Sequence, residues 1–216
     1  MPTNSYRFNI IEATPSFVYG RLALDAADFL VDDISAQIDE DEYQQGEVGY
    51  NSDDESICLE TRKSTINWLP EEISTKTIVE SIVSQVNASN FDLHFTYAPD
   101  WQYTIYSDKA DHYDWHTDEE DPDDPDEDRF IRTVSISVCL SSDDQYEGGE
   151  FFIKDGSEQN VRVFKMRYGD FIVFPSTIEH RVNALRDGQR ASLVAWFGYD
   201  HPADEDEEII AIVPSK

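Results

Sequence analysis

The sequence predicts an α+β protein whose core consists of two packed β-sheets. Two segments with helical spacing of apolar residues precede residue 90, and short alternating segments fill most of the chain from residue 102 to residue 198. Many short strands that follow two helices are typical of a double-sheet β core supported by helices. With 216 residues the chain can form one well-filled core, so we expect a single domain over residues 1–216.

The N-terminal part supplies the predicted helices. Residues 1–20 are expected to be irregular or to form an edge strand. Leu22–Ile38 carries apolar residues at roughly helical spacing and predicts an amphipathic helix. Ser74–Asn87 predicts a second helix, which the turn-forming residues 87–90 should end. Between the helices we expect an acidic loop and then a strand that ends before a proline: Asp39–Asp54, Ile57–Ile66 and Pro70.

The segment Arg132–Leu140 has the clearest strand pattern of the C-terminal part. Val134, Ile136 and Val138 alternate with Ser135 and Ser137, so one face should be apolar and the other should carry hydroxyl groups. The other predicted strands are Gln102–Tyr106, Phe151–Lys154, Val161–Arg167, Phe171–Phe174 and Ala191–Gly198.

The charge of the chain is strongly negative. There are 16 Lys and Arg against 46 Asp and Glu, which gives a formal net charge of −30. Such a body repels phosphate backbones, so we expect no nucleic-acid partner. It would attract a basic peptide or protein, although the acidity is explained more simply by solubility alone.

Several classes of protein are disfavoured by what the sequence lacks. Its two cysteines, Cys58 and Cys139, suggest neither a disulfide framework nor a thiolate zinc site. No apolar run approaches membrane-spanning length, and the first twenty residues do not have the pattern of a secretory signal. From these features we expect a cytoplasmic protein without a membrane partner, and its oligomeric state stays open.

Three residues could form a metal site. His116 and Asp118 are two positions apart, and residues i and i+2 of a strand point to the same side. A third ligand from a distant strand, His180, would complete one face of an octahedron and leave the other positions open. Two histidines and one carboxylate in this arrangement are typical of non-haem Fe(II) oxygenases. A zinc hydrolase with the same ligands is the alternative at this stage.

A possible anion receptor follows the second histidine. Arg190 comes ten residues after His180, and Ser192 should face the same way as Arg190 on one strand. A guanidinium beside a hydroxyl suits a carboxylate. A divalent ion with one carboxylate ligand keeps one positive charge. A bound dicarboxylate would therefore neutralise the ion and the arginine together.

Motifs in a fixed order over residues 100–200 carry a resemblance to a known family. They are Gln102–Tyr106, Tyr113–Asp118, Tyr146–Phe151, Tyr168–Asp170, Phe174–Ser176, His180–Val182 and Gly188–Trp196. On these residues the sequence resembles the Fe(II)/2-oxoglutarate-dependent oxygenase superfamily, and within it the prolyl-4-hydroxylase-like branch. Arg62–Pro70 also resembles the segment that precedes this core in some microbial members.

The resemblance implies a fold and its division along the chain. The core over residues 99–200 would be a double-stranded β-helix, that is, a jelly-roll or cupin-like fold. Residues 1–98 would supply helices and supporting strands, and residues 201–216 an acidic tail.

The resemblance also implies roles for single residues. His116, Asp118 and His180 would bind iron, with no catalytic residue beyond the metal centre. The remaining implied roles are Arg190 and Tyr106 on the distal carboxylate of 2-oxoglutarate, Ser192 as a further co-substrate contact, and Tyr113 and Trp196 on the substrate side.

The implied chemistry is the hydroxylation of an unactivated C–H bond. Fe(II) would be the metal, 2-oxoglutarate and O2 the co-substrates, and ascorbate a reductant. The substrate favoured by the resemblance is a peptidyl prolyl residue of a peptide or protein, and the negative charge of the chain favours a basic one. Hydroxylation of a free amino acid or small metabolite stays open, as does a non-catalytic β-helix that only binds a ligand.

An acidic insert directly follows the metal aspartate. Residues Glu119–Asp128 contain two prolines and many carboxylates. One interpretation is a solvated loop stiffened by proline, and the other is an electronegative rim that attracts a basic substrate.

Overall fold

The computed structural model describes residues 8–46, 60–70, 73–119, 130–156 and 160–200. The helices are α1 (Leu24–Ser35) and α2 (Thr75–Asn90). The strands are β1 (Phe8–Ala13), β2 (Val18–Leu22), β3 (Gln44–Gln45), β4 (Arg62–Lys63), β5 (Thr65–Trp68), β6 (Trp101–Tyr106), β7 (His112–His116), β8 (Phe130–Cys139), β9 (Tyr146–Gly148), β10 (Phe151–Asp155), β11 (Asn160–Phe164), β12 (Asp170–Pro175), β13 (His180–Val182), β14 (Leu185–Gly188) and β15 (Arg190–Asp200).

Most strands belong to two sheets. The larger has the order β1-β2-β12-β8-β15-β6-β5-β3, and the smaller has the order β11-β10-β13-β7-β4. From β6 onward, the chain crosses between them, because β6, β8, β12 and β15 lie in the larger sheet while β7, β10 and β13 lie in the smaller one. This winding is that of a double-stranded β-helix. The α+β class and the two-sheet core expected from the sequence are therefore confirmed.

The central strand β8 shows why the larger sheet has two different faces. Val134, Ile136 and Val138 are fully buried in the cluster that also contains the apolar residues of both helices. The intervening Ser135 and Ser137 are also buried, but they lie on the opposite face, toward the interior between the sheets. Period-2 alternation thus gives one strand an apolar outer face and a polar inner face.

Helix α2 packs on the outer face of the larger sheet. Ile78, Val79, Ile82 and Val83 have no exposed surface. The helix begins beside α1, where the Asp33 carboxylate accepts hydrogen bonds from the backbone N–H and the hydroxyl of Thr75, at 2.7 Å and 2.8 Å. This contact satisfies a free N–H at the helix start and holds the two helices together.

The end of the second helix differs from the prediction. The helix does not end at Asn87 but runs to Asn90. The side chain of Asn90 donates back to the carbonyl of Val86, and the side chain of Asn87 bonds both backbone groups of Leu93. These turn-forming residues are therefore accommodated within the last turn, because their amides bond to the backbone there.

Other boundaries also differ from the sequence expectation. The first residues described form the hairpin β1-β2, with β1 at the sheet edge and β2 inside the sheet. The strand predicted over Val161–Arg167 ends at Phe164. Residues 47–59, which cover the second half of the predicted acidic loop and the start of the strand predicted over Ile57–Ile66, lie outside the described residues. The described part of the loop forms a short 3-10 helix (Glu40–Glu42) and β3, and the described part of the predicted strand forms β4 and the start of β5.

A buried carboxylate joins the N-terminal hairpin to the core. Asp170 on β12 has no exposed surface and pairs with the guanidinium of Arg21 on β2. It also accepts hydrogen bonds from the hydroxyl of Tyr19 and from the backbone N–H of Arg167, the latter at 2.8 Å. A buried charge needs such partners, so the contacts of Asp170 favour the observed register of β2 on β12.

Among the described residues, neither helix combines the length and the apolar character that crossing a bilayer requires.

The packing of α2 leads to a stability prediction. The substitution Ile82→Ala should lower the free energy of unfolding by about 2–5 kcal/mol, because it opens a cavity under a fully buried side chain. The exposed Ser84 of the same helix provides the control, and Ser84→Ala should change stability by less than about 0.5 kcal/mol. Chemical denaturation of both variants tests this. Equal midpoints would show that α2 does not cover the sheet.

Candidate metal centre

The three residues predicted as metal ligands lie together between the sheets. His116 ends β7, Asp118 follows two residues later, and His180 begins β13. Their ligand atoms all lie within 4.8 Å of one another. Each imidazole Nε2 is 3.6 Å from an oxygen of Asp118, with His116 nearest Oδ1 and His180 nearest Oδ2. The structure therefore brings together residues that are 64 positions apart in the chain.

Strand pairing produces this meeting. β7 and β13 are antiparallel neighbours, and His180 is paired with His116 in the register. The backbone N–H of Asp118 donates to the carbonyl of Ser176 at 2.9 Å, which fixes the chain just beyond β7. The sequence argument placed Asp118 on the strand, whereas the structure places it after the strand end.

Backbone contacts orient both imidazoles. Nδ1 of His116 lies 2.7 Å from the carbonyl oxygen of Asp114, and Nδ1 of His180 lies 3.0 Å from that of Ile178. A carbonyl only accepts, so each Nδ1 carries the proton and each Nε2 keeps its lone pair. Both lone pairs are then available to one ion, in the way that metal-binding histidines are usually held.

The protonation states also suit a divalent ion. Burial, and after it the nearby His180, lower the pKa of His116 to about 3. Burial acts to raise the pKa of Asp118, but the imidazoles of His180 and His116, the hydrogen bond from Ser135 and the charge of Arg132 together hold this pKa below its ordinary value. At neutral pH the site therefore presents a neutral imidazole and an ionised carboxylate, which are the forms that bind metals.

One buried atom at the site lacks a partner. Oδ2 of Asp118 is inaccessible to solvent and makes no hydrogen bond. A buried carboxylate oxygen without a partner is costly, and a cation at this position would remove the cost. The neutral imidazole and this oxygen form a donor set that fits Fe(II) with further coordination positions open.

Aromatic side chains enclose the histidines. His180 packs against Phe174, with ring centroids 4.5 Å apart, and stacks on Phe151 at 5.5 Å. Tyr113 stacks on His116 with centroids 3.5 Å apart and an angle of 13° between the planes. These rings limit the rotation of the imidazoles and exclude water from one side of the site.

A β-bulge explains how Tyr113 reaches the site. Tyr113 and His116 are three positions apart, so a regular strand would place them on opposite faces. The register shifts between the pairs His180–His116 and Val182–Tyr113, so β7 contains one extra residue. The bulge turns both side chains to the inside, as bulges beside active sites commonly do.

The predicted carboxylate receptor is buried in the same interior. Arg190 begins β15 and has no exposed surface. Its Nη1 donates to the hydroxyl of Ser192 at 3.3 Å, and Nη2 approaches Sδ of Met166 at 3.9 Å. Its Nε is buried without a hydrogen-bond partner. A buried guanidinium in these surroundings fits an anionic ligand, because its charge is otherwise poorly compensated.

Tyr106 and Ser192 lie beside this guanidinium. Cζ of Arg190 is 5.5 Å from the ring centroid of Tyr106, and the two residues are paired between β15 and β6. Burial raises the pKa of Tyr106, so its hydroxyl stays protonated and can donate to a carboxylate. Arg190 lies on β15, and the short strand β14 lies between His180 and this strand in the chain.

Trp196 lies further along the same face of β15. It is buried, its ring faces the guanidinium of Arg132 at 4.5 Å, and its Nε1 has no hydrogen-bond partner. The ring centroids of Trp196 and of the half-exposed Trp68 on β5 are 6.3 Å apart. These residues form an aromatic and cationic wall on the same face of β15, toward the end of the strand away from Arg190.

Sequence reasoning did not assign roles to two further groups near the centre. The buried Arg62 on β4 donates to Oε1 of Gln102 at 2.7 Å and lies 4.6 Å above the ring of Tyr113. Ser135 and Ser176 share a hydrogen bond at 3.0 Å, and Ser135 helps to lower the pKa of Asp118. The alternation in β8 was the available signal for Ser135. The position of Arg62 depends on strand pairing, which no local pattern reveals.

Part of the acidic insert can be located. Glu119 is exposed, and its N–H donates to the carbonyl of Ser176 at 3.1 Å. Residues 120–128 lie outside the described residues, as does the acidic tail over residues 201–216, so both interpretations of the insert stay predictions.

Comparisons with known proteins agree with this site. Residues 101–198 match the family model described as the 2OG-Fe(II) oxygenase superfamily. A PKHD-type hydroxylase of Psychrobacter sp. strain PRwf-1 is 35% identical over 99 residues, which are 45% of this chain and 38% of that protein. The chain thus spans about a third of that relative, and 55% of a PKHD-type hydroxylase of Crocosphaera subtropica.

Two solved structures share the fold. One is a prolyl-4-hydroxylase of Pseudomonas putida, with a TM-score of 0.62 and 18% identity over 85% of this chain and 92% of that one. The other is a prolyl hydroxylase of Trichoplax adhaerens in complex with a hypoxia-inducible-factor peptide, with a TM-score of 0.66 and 16% identity over 86% and 84%. At these identities the likeness establishes the double-stranded β-helix fold.

The geometry of the three ligands leads to a metal-binding prediction. Mn(II) should bind to the wild-type protein and raise its melting temperature. When the free metal is at a hundred times its Kd, the free energy of unfolding should rise by about 2.7 kcal/mol. The variant His180→Ala should lose this stabilisation, because it removes one of the three ligands. Calorimetric titration and thermal unfolding measure the two effects.

A nearby histidine provides the matched control. His112 lies four residues before His116, and both of its ring nitrogens contact backbone carbonyls, those of Ala110 and Glu60. His112→Ala should therefore bind Mn(II) as the wild type does. Equal losses in both variants would contradict the assignment of the site.

Proposed function

We propose that this chain, whose residues 101–198 match the model of the 2OG-Fe(II) oxygenase superfamily, belongs to that superfamily and is an Fe(II)- and 2-oxoglutarate-dependent dioxygenase that hydroxylates an unactivated C–H bond. We further propose that the substrate is a peptidyl prolyl residue. The observation that carries the proposal is the convergence of two imidazoles and one carboxylate, with an incompletely paired arginine buried in the same interior.

Each residue of the centre has a defined task in this reaction. His116, Asp118 and His180 would hold the iron, with both imidazoles presenting Nε2. Arg190 would bind the distal carboxylate of 2-oxoglutarate, and Tyr106 would donate a hydrogen bond to the same group. Ser192 accepts from Arg190 at 3.3 Å, so its own proton is free for the co-substrate.

Bound iron and 2-oxoglutarate would supply the oxidising chemistry that inserts oxygen into a C–H bond. The protein supplies positions, charge balance and exclusion of water. Ile153, Phe151 and Phe174 are almost completely buried around the histidines and keep that side of the centre dry. Ascorbate would serve as an external reductant that returns the iron to the ferrous state.

The substrate side would lie at Tyr113 and Trp196. Burial raises the pKa of Tyr113 to about 12, so its phenol is a hydrogen-bond donor at neutral pH. The ring of Trp196 offers an apolar surface of the kind that packs against a pyrrolidine. The two prolyl hydroxylases that share the fold support a prolyl target, and the net charge of −30 supports a basic peptide.

Substrate turnover tests the reaction and the substrate class together. With Fe(II), 2-oxoglutarate, O2 and ascorbate, the protein should form succinate and add 16 Da, the mass of one oxygen, to proline-containing peptides. Mass spectrometry and a succinate assay measure both, with basic and neutral peptides in parallel and with free proline as a small-molecule substrate.

The outcomes of this test are distinct. Modification of free proline alone would replace the peptide substrate with a small metabolite. Product formation without O2 would contradict the oxygenase and favour zinc hydrolysis. Peptide binding without succinate under any condition would favour a non-catalytic binding protein.

The arginine can be tested separately from the metal. Arg190→Met keeps much of the side-chain volume but removes the charged donors, so the KM for 2-oxoglutarate should rise about tenfold to about a hundredfold. The affinity for Mn(II), measured by titration, should stay the same because Arg190 is not a ligand. An unchanged KM would contradict the role of Arg190.

A further inference from the structure

Arg190 is confined on several sides. Ser192 and Met166 contact its two terminal nitrogens, and the ring of Tyr106 lies beside its Cζ. The residue has no exposed surface, so its guanidinium cannot move out to solvent. The position of the charge therefore depends on how much room the surrounding chain leaves for the aliphatic part of the side chain.

Gly149 borders that aliphatic part directly. A β-carbon built on Gly149 would lie 2.9 Å from Cδ of Arg190 and 3.5 Å from two ring carbons of Tyr146. A carbon–carbon contact of 2.9 Å is too short, so one of the two side chains would have to move. Tyr146 is itself held in place, because its hydroxyl donates to the carbonyl of Met166 at 2.5 Å.

Strand pairing fixes Gly149 relative to Arg190. The two-stranded sheet of β9 and β14 pairs Tyr146 with Gly188 and Gly148 with Leu185. β9 ends just before Gly149, and β14 ends just before Arg190. The N–H of Gln189 also donates to the carbonyl of Gln145 at 3.1 Å. The chain directly before Gly149 and directly before Arg190 is thus held by backbone contacts, which limit how far either backbone can move to relieve an added methyl group.

We propose that Gly149 is a positioning residue for co-substrate binding: the absence of a side chain there lets Arg190 extend to the place where it meets the distal carboxylate of 2-oxoglutarate. This inference rests on the proposed function. The positive φ of +61° at Gly149 is a separate reason for glycine, and it concerns the backbone alone. The two reasons make different predictions, so they can be separated by experiment.

Gly156 is the matched control for the backbone reason. It also has a positive φ, +72°, but a β-carbon there would meet nothing within 4 Å. Gly156→Ala therefore carries the strain of the left-handed conformation without any contact with Arg190. It should bind metal and 2-oxoglutarate as the wild type does.

The main test is a calorimetric titration of 2-oxoglutarate into the Mn(II)-loaded protein. Gly149→Ala should weaken binding of 2-oxoglutarate about tenfold or more, because a displaced guanidinium no longer meets the carboxylate. Its affinity for Mn(II) should equal that of the wild type. In turnover the KM for 2-oxoglutarate should rise more than kcat falls. Equal losses of metal and 2-oxoglutarate affinity would mean general damage and would overturn the proposal.

A double-variant cycle tests whether Gly149 acts through Arg190. Arg190→Ala removes Cδ together with the guanidinium, so adding Gly149→Ala to it should cause no further loss of 2-oxoglutarate affinity. Additive losses would overturn the proposal. If Gly149→Ala alone fails to fold, the double variant should fold because the clash is gone. Failure of both would assign the glycine to the backbone turn alone and overturn the proposal.

The same titration separates this inference from the proposed function. If the wild-type protein loaded with Mn(II) binds no 2-oxoglutarate, both the proposed function and the role of Gly149 are contradicted. A wild type that binds 2-oxoglutarate, together with a Gly149→Ala variant that binds it equally well, would remove only the role of Gly149.

Discussion

The antiparallel pairing of β7 with β13 is the contact on which the centre depends. It sets His116 opposite His180, and the backbone bond from Asp118 to Ser176 places the carboxylate beside them. Each strand is short, so the pairing needs support from its neighbours in the sheet. β10 on one side and β4 on the other provide that support. A change in register of one residue would turn one imidazole to the opposite face.

The centre also shows how a buried polar site is made tolerable. Backbone carbonyls accept hydrogen bonds from Nδ1–H of the histidines, and hydroxyl groups of the inner face lie near the carboxylate. Two of the buried atoms without a hydrogen-bond partner among the described residues lie where ligands would bind: Oδ2 of Asp118 and Nε of Arg190. The cost of burying these atoms is recovered only when a cation and an anion arrive, so ligand binding and stability should be coupled.

The larger sheet contributes by dividing its two faces. Its outer face carries the apolar cluster with α1 and α2, while its inner face carries Ser135, Ser137 and Arg190. The helices thus stabilise the sheet without entering the site. The small sheet of β9 and β14 has a different part, since it fixes Gly149 against Arg190 and so determines where the guanidinium can lie.

The sequence by itself determined the α+β class, both helices, the alternation of β8 and the identity of the residues that meet at the centre. It could do so because periodicity and motif order are local properties, and the family motifs lie in one order along the chain. It misplaced the end of α2 and did not predict the short strand β14 before Arg190, since side-chain bonds to the backbone and short strands leave weak local patterns.

Only the tertiary structure decided the register of β7 on β13, the bulge that turns Tyr113 inward, the place of Arg62, and the contact between Gly149 and Arg190. These features join residues from separate strands, and their geometry follows from the pairing of backbones far apart in the sequence. No periodicity within one segment contains that information, because it arises only when the two sheets pack around a common interior.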